Sequence, residues 1–347
     1  MADFIDATAL PCQRRRMVWF DSDRIAAARD QLDGRVIRTP VLPLCSSRIA
    51  PYIPDGAELH MKLELFQHTG SFKARGSLLG IDWLSDEARR NGIVGFSGGN
   101  FALAAAWAAK AGGVHAKMVM PEAADPFRIE GCRALGAEVV LVPDMMAAMP
   151  LLEAISRDEA RPVLHPFNDA NMAYGAASCG AEMVDDCPPL DMVVLPVGGG
   201  GLICGMAAAI KAMSPQTVVI GVEPEGADSL SRSFRSGKAE ALERVATIAD
   251  SLGAPMAMPE SLALARQHVD ELITIPDRLM KDTMLLMRHA LNLFSEPACT
   301  ASLAATLGPL RERAAGKRVG VLACGSNISP ERFAALTEDA MLPQPPV

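Results

Sequence analysis

Gln67-His68-Thr69-Gly70-Ser71-Phe72-Lys73-Ala74-Arg75-Gly76 decides how this chain is read. It sets one lysine directly behind an aromatic residue, at the opening of an apparent helix. Before it, Glu58-Leu59-His60-Met61-Lys62-Leu63-Glu64 alternates apolar and polar residues as a half-buried strand does. After it, Leu78, Leu79, Ile81, Trp83 and Leu84 recur at helical spacing. Thr69, Gly70 and Ser71 are turn and N-cap residues. Lys73 then falls in the first helical turn, where the positive end of the helix dipole disfavours an ammonium. Either it is an ordinary exposed lysine or it is an amine kept neutral to attack a carbonyl.

Bulk composition narrows the setting. A chain of 347 residues with half of them apolar supports one to three domains. A net charge of −8 argues against nucleic acid or an anionic membrane as the main partner. Cys12, Cys45, Cys132, Cys179, Cys187, Cys204, Cys299 and Cys324 form no CxxC pair, so neither zinc nor a disulfide framework is signalled. The sequence shows no signal peptide or transmembrane run, and the expectation is a cytoplasmic protein.

Along the chain, an irregular arm to about residue 20 precedes a helix over 22–32 and an extended segment at 38–42. From Gly92, strands at 93–96, 116–120, 138–142 and 163–165 alternate with helices at 101–110, 126–135 and 147–157. A helix over 172–184 leads to a second series. Its strands are 192–197, 218–222, 272–275 and 319–323, and its helices are 202–213, 277–294 and 299–314; a frayed tail closes the chain. This rhythm predicts parallel sheets with helical crossovers. The reading is two α/β domains, a large one from 1–91 plus 166–347 and a small one, 92–165, inserted into it.

Three further stretches carry chemistry. Gly198-Gly199-Gly200-Gly201 lies between a strand and a helix, where it is either a flexible connection or an anion cradle of main-chain amides. It matches neither GxGxxG nor GxxxxGK[ST], so a monophosphate suits it better than NAD or ATP. Ser97-Gly98-Gly99-Asn100 follows another strand, as a plain turn or as a receptor for a carboxylate or ring hydroxyl. Cys324-Gly325-Ser326-Asn327 follows a buried strand, and its thiol is either inert core or part of a site.

These pieces in this order resemble the fold-type II pyridoxal-phosphate enzymes, within them the threonine/serine dehydratase and serine racemase group. The resemblance runs from about residue 20 to 330. It implies two open parallel-sheet domains of the tryptophan synthase β-like kind with the cofactor between them. Gln67–Gly76 is similar to the family's Schiff-base motif, and Gly198–Leu202 to its phosphate loop. Ser97–Asn100 is similar to its asparagine loop, Ser295-Glu296-Pro297 to its late acidic motif, and Cys324–Asn327 to its ring-nitrogen segment.

By that resemblance Lys73 bonds pyridoxal 5′-phosphate, Phe72 packs on the ring and Asn100 meets the ring hydroxyl. Gly198, Gly199, Gly200, Gly201 and Leu202 hold the phosphate, Glu296 lies beside the ring, and Cys324 faces its nitrogen. A thiol partner leaves the ring a weaker electron sink and favours expulsion of a β-leaving group. The substrate amino acid docks its carboxylate on Ser97, Gly98, Asn100 and Phe101. Lys73 takes the α-proton and the β-hydroxyl leaves, which yields a 2-oxo acid and ammonia from L-threonine, L-serine or a bulkier or acidic analogue. A homodimer is the implied assembly.

Three departures stand out. Gly98 occupies the place where racemases carry a second serine, which argues against racemisation, and Phe101 replaces a common histidine. In the Mg²⁺ or Ca²⁺ position, Glu223 and Ala227 match the family, but Ser229 stands where a second acid is expected. The alternative for Glu223 is a helix cap or an ion pair with Arg232 or Arg235. Third, the sequence ends soon after Asn327, so no C-terminal regulatory domain is expected. β-Replacement on the same scaffold and a catalytically idle binding protein are the rival functions. His68 reads as a turn residue.

Overall fold

A computed structural model of the chain describes residues 22–343, so the N-terminal arm and the end of the tail lie outside the described residues. Among the described residues nine strands form two sheets. β1 (Val41–Pro43), β2 (Glu58–Lys62), β6 (Met192–Pro196), β7 (Val218–Pro224), β8 (Glu271–Ile275) and β9 (Arg318–Leu322) build one, in the order β1-β2-β9-β6-β7-β8. β3 (Ile93–Phe96), β4 (Ala116–Pro121) and β5 (Glu138–Val142) build the other. All neighbours run parallel except β1, which pairs antiparallel with β2.

The unbroken apolar run Met192–Pro196 is buried at every position, as a central parallel strand requires. β9 lies between β2 and β6, with Val321 opposite both Met61 and Val194. The C-terminal ends of three adjacent strands therefore share one edge, and each leads into one of the singled-out stretches. Open α/β sheets present ligands at that edge.

Helices Lys73–Asp82, Ala170–Asp186 and Gly201–Met213 cross one another at bare backbone. A Cβ on Gly175 would stand 2.3 Å from Gly76 N, and one on Gly205 would stand 2.0 Å from Ala173 O. Leu78, Leu79 and Ile81 of the lysine helix share an apolar cluster with Ile93, Phe101 and Met118. That helix is thus packed against the three-stranded unit as well as the helix behind it.

Several expectations need correction. Residues 163–165 contribute one bridge, Val163 with Val94, because Pro162 and Pro166 flank them and leave no room for a ladder. The helix expected over 277–294 is α-helical only over Asp277–Leu286. It then widens into a π turn over Met287–Leu291 and stops at Asn292, which is left-handed (φ 55°). The one expected over 299–314 is split at Gly308 into Pro297–Leu307 and Arg311–Ala314. Helices Ser229–Ser236, Pro259–His268 and Pro330–Thr337 were not anticipated. No helix among the described residues is long and apolar enough to cross a membrane.

The glycine crossings are testable. Gly175→Ala forces a methyl into the lysine helix and is expected to cost about 1–3 kcal/mol in denaturant unfolding. An unchanged midpoint would show that the helices have room to spare.

Candidate active site

The lysine stretch is strapped to the segment after β9. Phe72 N donates to Cys324 O at 3.2 Å, and Ser326 N donates to Gly70 O at 2.9 Å. Asn327 Nδ2 donates to Thr69 O at 2.7 Å. Ser71 is not the N-cap expected of it: it is extended, bridges to Gly325, and leaves Phe72 as the residue before the helix. Thr69 takes φ 58° and Gly70 φ 68°. A side chain on Gly70 would crowd Asn327 Oδ1, at 2.7 Å from the added carbon. A β-branched residue in the left-handed region is costly, and such residues persist where surrounding contacts over-determine them.

Lys73 opens helix Lys73–Asp82, and its Nζ donates to Pro166 O at 2.5 Å and lies 4.9 Å from the Phe72 ring centroid. Burial lowers its pKa from 10.5 to about 8, while the acidic group of Glu296 opposes the fall. Loss of water around the ammonium is the main cause, where the sequence pointed to the helix dipole.

The residue after Pro166 reaches the tetraglycine turn. A Cβ on Gly199 would fall 2.2 Å from the Phe167 ring, and one on Gly201 would fall 2.8 Å from Phe167 O. Gly200, at φ 93°, faces Ser261, whose hydroxyl donates to Gly199 O at 3.0 Å. Gly198 lies under Ser251 and Leu252. Leu202 is buried in the large sheet's core. Lysine and glycine turn are thus joined by two consecutive residues, 166 and 167. His165 Nδ1 accepts the N–H groups of Phe167 (3.3 Å) and Asn168 (2.9 Å), and burial next to Lys73 drops its pKa to about 4. It shapes this loop as a neutral ring. Asn168 Oδ1 is buried beside it without a protein partner. His68, by contrast, stacks on Trp107 at 4.6 Å.

From the other sheet comes the asparagine turn. Ser97 Oγ accepts Gly99 N–H at 3.0 Å, and Gly98 packs on Pro121. Asn100 Nδ2 donates to Glu296 Oε1 at 2.6 Å, and Asn100 Oδ1 accepts from Asn327 Nδ2 at 2.7 Å. Phe101 lies in the core, its ring against Gly95, so it meets the turn through its backbone only. Burial pushes the Glu296 carboxyl up to about 7 despite Arg128. Burial also pushes the Cys324 thiol well above its usual range, which keeps it protonated.

Arg128, Asp250, Ser251 and the Pro166–Asn168 segment escaped the sequence reading. Ser251 Oγ sits 3.4 Å from Asn100 Nδ2. Nothing local marks any of them, because their roles come from contacts across the fold.

Glu223, Ala227 and Ser229 do not assemble a cation site. The Glu223 carboxylate accepts Leu230 N–H at 3.0 Å and Ser231 N–H at 2.7 Å, capping helix Ser229–Ser236. Ser229 Oγ donates to Ala254 O at 3.4 Å, and Ala227 offers no charged ligand. Arg232 pairs with Asp228 instead of Glu223. No group of three His, Cys, Asp or Glu suited to a metal occurs among the described residues.

Residues 34–325 match the family described as pyridoxal-phosphate dependent enzyme. Phenylserine dehydratase of Ralstonia pickettii is 40% identical over 330 residues, covering 95% of this chain and 97% of that protein. L-threonine ammonia-lyase of Thermotoga maritima is 36% identical, covering 79% and 68%. The structure of maize serine racemase superposes with a TM-score of 0.84 at 30% identity, covering 92% of this chain and 98% of that one. With a lysine joined to a glycine turn at the shared edge of its sheet, the chain belongs to the fold-type II pyridoxal-phosphate dependent enzymes, in their ammonia-lyase and serine racemase group.

Proposed function

We propose that the enzyme catalyses β-elimination from an uncharged, aryl-bearing β-hydroxy amino acid of the phenylserine class, releasing a 2-oxo acid and ammonia. The observation that carries this reading is Lys73, a buried amine with a pKa of about 8 bonded to Pro166 O, next to the Phe167 on which the tetraglycine turn packs. At neutral pH about a tenth of such an amine is unprotonated, some 300-fold more than for an ordinary lysine.

The residues fit pyridoxal phosphate. A reactive amine stands beside main chain at which side chains are excluded, and the orphaned Asn168 Oδ1 is a buried polar atom awaiting a partner. Lys73 would bond the cofactor, Phe72, Asn100, Glu296 and Cys324 would surround it, and Gly198–Leu202 would hold its phosphate. The cofactor, when bound, supplies the electron sink that loosens the substrate's α-proton.

The chain's own residues do the rest. Lys73 Nζ, held by Pro166 O, receives the α-proton. The turn Ser97–Asn100, at the start of helix Asn100–Ala111, receives the carboxylate. Gly98 has no hydroxyl to return a proton from the opposite face, which disfavours racemisation. The protonated Cys324 thiol brings no negative charge to hold a ring proton in place. The large unit (1–91 and 166–347) and the small unit (92–165) would enclose the site, in a homodimer as the resemblance implies.

Electrostatics favours a neutral substrate side chain. Asp250 and Glu296, the latter with its carboxyl pushed up to about 7, already place two acids here, and Arg128 is committed to both. A second substrate carboxylate would meet repulsion. The 40% identity to phenylserine dehydratase supports the aryl choice.

With reconstituted holoenzyme, phenylserine should release 2-oxo acid with kcat/KM at least about tenfold above threonine and serine. Preference for threo-3-hydroxyaspartate would overturn the neutral assignment. Thioether formation from serine and a thiol would move the enzyme to β-replacement. Lys73→Ala should abolish the cofactor's visible absorption band and the activity together.

A second test uses the cofactor-free chain. Folded Lys73 releases its proton at about pH 8, below the 10.5 of an unfolded lysine. Between those values the unfolded state binds more protons, so stability rises with pH across that window. The rise should be shallower in Lys73→Met, measured by denaturant unfolding from pH 7.5 to 10.5. Identical slopes would show that the amine is not buried as described.

A further inference from the structure

Arg128 sits in helix Pro126–Ala134, which covers one face of the three-stranded sheet, yet most of its hydrogen bonds leave that unit. Its side chain is only 4% exposed. Nε and Nη2 donate to Asn327 O at 3.0 and 2.8 Å, and Nη2 also donates to Glu296 Oε2 at 3.3 Å. Nη1 donates to Asp250 Oδ2 at 2.7 Å and, within its own unit, to Gly98 O at 3.3 Å. One guanidinium therefore touches the asparagine turn, the segment after β9, the late acidic motif and the 250–252 turn that covers Gly198. The start of its helix is tied across as well, since Asp125 Oδ2 accepts Ser329 N–H at 3.3 Å.

These contacts close on Asn100. Glu296 uses one oxygen for Arg128 and the other for Asn100 Nδ2, while Asn327 gives its carbonyl to Arg128 and its amide to Asn100 Oδ1. Both ends of the Asn100 amide are thus held by residues that Arg128 holds in turn. Planar, multidentate recognition of this kind needs arginine, because a lysine ammonium cannot span four acceptors.

We propose that Arg128 is a positioning residue: it fastens the three-stranded unit to the C-terminal edge of the large sheet and, through Glu296 and Asn327, fixes the orientation of Asn100. The kinetic consequence rests on the function proposed above, whereas the mechanical one does not.

The test is Arg128→Met, with Arg128→Lys beside it, followed by amide hydrogen exchange with and without cofactor. Exchange should accelerate by about tenfold or more at 98–101, 250–252 and 325–328, with β6 and β7 unchanged, in both forms. In the holoenzyme kcat/KM should fall about 100-fold. Arg128→Lys should lie between, and added guanidinium ion should restore part of the loss only in Arg128→Met. Unchanged exchange in those segments, or acceleration spread evenly over the chain, would overturn the proposal. Should Arg128→Met fail to fold, Asp250→Asn removes one partner from the half-exposed side and must still accelerate exchange at 250–252 and 98–101; no change there overturns it too. If no substrate is ever turned over, the exchange arms still decide the role of Arg128.

Discussion

Everything at the site depends on how the lysine helix is rotated, and a buried ionic cluster fixes that rotation. Arg75 is fully buried two residues after Lys73. Its guanidinium grips Glu64 at 2.8 Å through Nε and Nη2, and Glu182 at 2.7 and 2.8 Å through Nη1 and Nη2. Lys62 Nζ completes the cluster on Glu182 and Thr39 O, each at 2.7 Å, and Thr39 Oγ1 donates to Glu64. Desolvating so many charges roughly cancels their attraction, so the cluster adds little net stability. What it supplies is uniqueness. A helix turned to any other face would bury Arg75 without partners, at far greater cost than a mispacked leucine.

The two cations of this helix therefore meet opposite fates within a few ångströms. Arg75 is surrounded by carboxylates and its affinity for the proton rises well above normal. Lys73 is buried with no carboxylate bonded to it, and its affinity falls. Both residues are desolvated; compensation is what separates them. The pattern is legible in hindsight from Lys62 at the end of β2 and Glu64 two residues beyond it, whose buried charges need a counterpart. Read alone, that strand looked merely amphipathic.

Local signals carried most of the fold. Strands β6 and β9 are short runs rich in Val and Leu, and the glycine turn lies between clear elements, so existence and type could be read directly. Lys73, Asn100, Glu296 and Cys324 were nameable because each lies in a compact stretch that resembles a motif of the family. Arg128 and Asp250 sit 122 positions apart and meet only because the helix after β4 faces the 250–252 turn, which no periodicity encodes. Phe101 shows the converse. Its position beside Asn100 drew it toward the substrate, but a helix points successive side chains about 100° apart, and this one turns to the core. Glu223 could be read either as a metal ligand or as a helix cap, and its carboxylate caps Ser229–Ser236, a helix that the sequence reading had missed.

The order β2-β9-β6 also explains how these distant stretches find each other. Parallel pairing with β9 at the centre brings residues 62, 322 and 196 to a common edge before any ligand is considered. The straps Phe72 to Cys324 and Gly70 to Ser326 then follow from chain continuity. Half of the site is thereby built into the large sheet. The other half, Ser97 to Asn100, arrives on a separate sheet whose own strands share no ladder with the first. A site divided in this way is only as well defined as the contacts across the division. Arg128, with bonds to both sides of that division, belongs to neither half's backbone motif, which is why the family could be read from the motifs while the geometry of the site could not.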